Sequence, residues 1–65
     1  MNAAAFYKIA DEKGISILKI AEIIGKSEVT TLRKICNGGF KQSEIALLKK
    51  ELKLTDEETT DIFLK

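Results

Sequence analysis

The chain has 65 residues, close to the lower limit at which one core can hold a fold without disulfides or metal, so a single domain over 1–65 is expected. With 45% hydrophobic and 32% charged residues it is not composed like a disordered segment, and no apolar run approaches the roughly 20 residues of a membrane-spanning helix. The net charge of +1 is unevenly spread: residues 1–50 carry nine Lys and Arg against five acids, whereas residues 51–65 carry two Lys against five acids, a pattern that suits a body facing a polyanion with its acidic end turned away.

Taken in chain order, apolar positions recur at helical spacing and no strand-like alternation is found. Ala3, Phe6, Ile9 and Ala10 give a first helical stripe that stops near Gly14. Ser16 is placed to cap a second helix whose Ile17, Ile20, Ala21 and Ile24 fall at i, i+3, i+4 and i+7, with Gly25 as its end. Ser27 caps a third, carrying Val29, Leu32 and Ile35 as its apolar stripe, and Asn37-Gly38-Gly39 breaks it. A fourth begins at Gln42 or Ser43 with Ile45, Leu48 and Leu52 on one side. Thr55-Asp56-Glu57-Glu58 spells a capping box that opens a fifth, closed by Ile62, Phe63 and Leu64. The expected fold is all-α, five short helices with local contacts.

Chemistry is limited by what is missing. There is no histidine, and Cys36 is the only cysteine, so no internal disulfide and no usual zinc set can form. No base, nucleophile or metal constellation is visible, and neither an enzyme, a cofactor nor a small-molecule substrate is expected. Cys36 is expected to be buried as a small hydrophobe, and Leu18 and Ile23 to be edges of the core. The start, Met1 to Phe6, lacks the basic flank and apolar core of a signal peptide, which makes the cytoplasm the expected compartment and no membrane the expected partner.

The hinge is the informative feature. Ala21 is small enough to let the second and third helices cross closely, and Gly25 permits the left-handed backbone of a tight turn. Ile20-Ala21-Glu22, Gly25, Ser27, Thr30, Leu32, Ile35 and Asn37-Gly38 stand in an order that resembles the DNA-binding domain of the lambda-repressor/Cro superfamily, a compact five-helix fold with a helix-turn-helix at helices 2 and 3. The segments "GKSEVTTLRKI", "SEIALLKKEL" and "LTDEETTDIFLK" are similar to small phage-encoded Cro-like or repressor-like proteins of Gram-positive bacteria and their mobile elements, over about residues 6–64. Three departures stand out. Ile17 and Leu18 occupy the start of helix 2, where the family often has a phosphate-binding Gln; Lys26 replaces a usually apolar residue; and one extra residue separates Gly25 from Asn37-Gly38. The extra residue leaves two registers for helix 3, with either Ser27, Glu28, Val29 and Arg33 or Glu28, Val29, Thr30 and Lys34 facing base edges.

The resemblance implies sequence-specific binding to a double-stranded DNA operator, as a transcriptional regulator. Arg33 or Lys34 would donate to guanine, Glu28 accept from cytosine, and Thr30 or Val29 press a methyl against thymine, while Lys19, Lys26, Lys41 and the backbone at Asn37-Gly38 hold phosphates. Each has a plainer reading: Val29 as core, Glu28 as a complement to the helix N-terminus, Arg33 and Lys34 as solvated charges. A module of this size implies a homodimer on DNA, with the carboxyl-terminal helix and Ile62-Phe63-Leu64 as the pairing surface. The competing reading is a protein-interaction adaptor, antirepressor- or antitoxin-like, that keeps the fold and uses Leu18, Ile23 and Phe63.

Overall fold

Five helices form where the sequence places them. The computed structural model describes residues 1–64 and contains α1 (Ala3–Lys13), α2 (Ile17–Ile24), α3 (Glu28–Cys36), α4 (Gln42–Glu51) and α5 (Asp56–Phe63), with no strand among the described residues. Four of the five starts are closed by a short polar side chain that accepts a first-turn N–H. The Asn2 side chain accepts from Ala5 at 3.0 Å, Ser16 from Lys19 at 3.2 Å, Ser27 from Thr30 at 3.1 Å and Thr55 from Glu58 at 3.0 Å. At Thr55 the expected box is complete, since the Glu58 carboxylate accepts the Thr55 N–H at 2.9 Å. The start of α4 has Lys41 at the capping position, which offers no acceptor; Glu44 accepts the Lys41 N–H instead, at 2.8 Å.

The ends share one device. After α2, Gly25 is left-handed (φ 70°), its N–H donates to the Glu22 carbonyl, and the Lys26 N–H reaches the Ala21 carbonyl at 3.0 Å, a Schellman closure that turns the chain within three residues. The same six-to-one bond closes α1 (Ile15 to Ala10), α3 (Gly39 to Lys34) and α4 (Leu54 to Lys49). In the last of these the left-handed position is held by Lys53 (φ 53°), which glycine would occupy with less strain.

These turns bring the apolar faces together. Phe6 and Ala10 of α1, Ile20 and Ile24 of α2, Ile35 of α3, Leu48 of α4, Ile62 of α5 and the junction residues Leu52 and Leu54 make one core; Ala21 is buried where α2 meets its neighbours. Packing of α2 on α3 and α4, and of α1 on α5 and α3, defines the body. Phe40, from the loop after α3, stacks on Phe6 with ring centroids 5.8 Å apart, and Phe63 meets both rings edge-on at 6.5 and 6.1 Å. The Asn2 N–H donates to the Ile62 carbonyl, tying the start of the chain to α5. No helix among the described residues is long and apolar enough to cross a membrane.

Several expectations need correction. Val29 and Leu32 do not join Ile35 in the core, being 59% and 40% exposed; the buried partner of Ile35 on α3 is Thr31. Thr31 can be fully buried because its hydroxyl donates to the Ser27 carbonyl at 2.8 Å. Cys36, expected inside, is exposed. Leu18 is 54% exposed rather than a core edge, whereas Ile23 does pack against the core. Of the trio offered as a pairing surface, Ile62 is core and Phe63 belongs to the ring cluster, so Leu64 alone projects freely.

Candidate functional site

The exposed front of α3 is built by its own cap. Ser27 Oγ accepts the Thr30 N–H and donates to Thr30 Oγ1 at 3.0 Å, which fixes the first turn and draws the Thr30 side chain back toward the cap. Ser27, Glu28, Val29 and Arg33 are all exposed, whereas Thr30 and Lys34 are half-buried. Of the two alternative sets of outward residues, the first is therefore the one the helix presents. Leu32 and Cys36 extend it along α3, because positions 29, 32 and 36 recur on one face of a helix.

Lys34 has a different occupation. Its Nζ lies 3.1 Å from Glu44 Oε1, with both side chains largely withdrawn from solvent, so this cation ties α3 to the start of α4. Burial alone pushes the Glu44 carboxyl up, but the Lys41 N–H, the Lys34 hydrogen bond and the charges of Lys34 and Lys41 outweigh it and hold the group below the usual carboxylate range. Sequence reading missed Glu44 because a Glu at the third position of a helix looks like an ordinary first-turn acid. The signal that could have found it is Lys41 in a capping position, which leaves a backbone N–H needing an acceptor from elsewhere.

Around this front stand the residues assigned to phosphates. Lys19 at the start of α2, Lys26 in the turn, Asn37 and Gly38 beyond α3 and Lys41 before α4 are exposed. Among the described residues no ion pair ties Lys19, Lys26 or Arg33 to an acid, whereas Lys13, Lys34 and Lys49 are paired with Glu58, Glu44 and Asp56. Hydrogen bonding to Lys49 holds the Asp56 carboxyl below its usual range, and the Thr55 N–H, aided by Lys13, does so for Glu58.

Several acids collect elsewhere. An open groove between α1 and α5 is lined by Glu12, Glu57, Glu58 and Asp61 with Lys8. On α1, the groove residues Ala5, Ile9 and Glu12 lie on the side away from Tyr7, which sits roughly 200° around the helix from Ala5. Tyr7 lies against Cys36 of α3; burial raises its phenol, and the neighbouring thiol raises it further. The acidic groove and the α3 front thus open on different sides of α1. No group of three or more His, Cys, Asp and Glu side chains among the described residues is arranged to hold a metal ion. Comparison with family models, with curated protein sequences and with solved structures finds no match to this chain.

Proposed function

We propose that this chain is a sequence-specific double-stranded DNA-binding protein in which α2 and α3 act as a helix-turn-helix and α3 enters the major groove. The observation that carries this reading is the exposed, capped front of α3, with Arg33 projecting and Lys19, Lys26 and Lys41 exposed on the elements beside it. A helix of this width fits the major groove, where Arg33 can donate to guanine and Glu28 accept from cytosine, while the flanking cations meet phosphates and set the register. The resemblance of the hinge to the lambda-repressor/Cro superfamily supports the same reading and extends it to a Cro-like or repressor-like regulator of a phage or integrated element, acting as a homodimer on a pseudo-palindromic site in the cytoplasm. Of the carboxyl-terminal pairing surface, Leu64 is the residue left available for such a contact.

A second reading, a protein-interaction adaptor on the same fold, is favoured by the exposed Leu18 on α2. One experiment separates them. After selection of binding duplexes from random sequence, affinity is measured against salt for the natural chain, Arg33→Ala and Lys34→Ala. DNA reading requires log K to fall with log salt at about 0.9 per phosphate neutralised, with Arg33→Ala losing tenfold or more of specific binding while remaining folded. Recovery of no duplex, or unchanged binding by folded Arg33→Ala, would remove the reading in favour of the adaptor.

A further inference from the structure

We propose that two copies of this chain pair through the seam between α1 and α3, and that the pair covers Arg33. The pairing stands apart from the DNA-binding reading above; only its consequence for DNA rests on that reading. Ala4, Tyr7 and Asp11 of α1 and Val29, Leu32 and Cys36 of α3 are exposed rows with the same i, i+3, i+7 spacing, so each row keeps to one side of its helix. The rows meet where Tyr7 lies against Cys36. Of the six large apolar side chains exposed among the described residues, Tyr7, Val29 and Leu32 stand on this seam, whereas Leu18, Leu47 and Leu64 stand one each on α2, on α4 and just beyond α5. Single exposed residues are ordinary, but a cluster marks a contact.

The charges at the borders of the seam say what covers it. Going around α3 from the buried Thr31 and Ile35, Leu32 comes first, then Cys36 and Val29, and Arg33 lies opposite the core. The seam therefore has a cation at its α3 border and, in Asp11, an acid on its α1 row; among the described residues no ion pair engages either. Glu28, beside Leu32, is already served by the N-terminus of α3. A surface that is apolar in the middle, negative at one border and positive at the other is complementary to itself. A two-fold axis through the apolar middle sets Asp11 of each copy against the partner's Arg33, so that every contact is made twice. A few side chains fall short of the roughly 800 Å² per partner of a standard interface, and the pair is expected to be weak, dissociating in the micromolar range. Because the pair covers Arg33, the monomer is the form that reads DNA through α3, and the two associations compete by mass action.

The test is sedimentation equilibrium over a concentration series without DNA, with Cys36 kept reduced so that no disulfide contributes. We expect the natural chain to pass from monomer to pair, and Leu32→Glu, Arg33→Asp and Asp11→Arg each to weaken pairing about tenfold or more while circular dichroism stays native. An equimolar mixture of Arg33→Asp and Asp11→Arg should recover it, since both two-fold contacts then join opposite charges. A natural chain that stays monomeric to about 1 mM overturns the proposal. So does a pair that survives in folded Leu32→Glu, which places it on another surface such as Leu64, or a mixture that fails to recover. A selected duplex that binds the pair as tightly as the monomer overturns the competition. Recovery of no duplex removes DNA reading and leaves the pairing to stand or fall on sedimentation alone.

Discussion

Glu44 shows how one residue can anchor two elements. It is 5% exposed, accepts the N–H that the start of α4 would otherwise leave unpaired, and holds the ammonium of Lys34 from α3. Its proton is bound more weakly in the folded chain than in the unfolded one, where 4.5 is the ordinary value, so its contribution is present above that pH and is lost as pH falls through the lower folded value. Glu44→Gln keeps an acceptor but loses the charge. It should cost about 1 kcal/mol at pH 6, and thermal midpoints followed from pH 6 to pH 3 should fall less steeply than for the natural chain. Parallel curves would show that the carboxylate charge is not what the link uses. Residue identity alone did not reveal this link, nor did it place Leu32 and Cys36 outside, and it left Val29 open between the core and the exposed face. Their apolar character argues for burial, and the choice of Thr31 for the core depends on a hydroxyl finding the Ser27 carbonyl, which composition does not show.

Element boundaries were legible because they are written in local chemistry. Ser16, Ser27 and Thr55 cap, Gly14 and Gly25 stop, and each acts within a few residues of where it stands in the sequence. The end of α4 was not legible, since Lys53 gives no sign of a left-handed backbone. Tertiary packing requires it, because Leu52 and Leu54 on either side are both core residues. Lys53→Gly should therefore stabilise the fold by about 0.5–1 kcal/mol, net of the greater freedom that glycine gives the unfolded chain. Gly25→Ala should do the reverse: nothing crowds a methyl there, but the left-handed φ costs about 1 kcal/mol. Urea denaturation of the two variants checks both signs, and a destabilised Lys53→Gly would mean that the lysine stem makes a contact worth more than the strain.

For the whole molecule, the sequence was sufficient for a single all-α body and for its charge asymmetry, since helical periodicity and the tally of acids are additive along the chain. It was insufficient for which cations are free, because pairing depends on how helices pack: Lys34, an equal candidate with Arg33 by sequence, is consumed by Glu44. Lys34→Ala should thus act mainly on stability, by about 1–3 kcal/mol, and leave the salt dependence of any DNA binding close to that of the natural chain, whereas Arg33→Ala should do the opposite. A salt slope reduced by Lys34→Ala in the folded state would return that residue to the binding surface.

The most direct measurement is a titration of isotopically labelled protein with a duplex recovered by selection from random sequence, following every backbone amide. The largest shifts are expected at residues 27–33 of the α3 front, with a second set at Lys19, Lys26 and residues 37–41, and little change in the acidic groove between α1 and α5. Shifts centred on that groove or on Leu18, with the front of α3 silent, would contradict this.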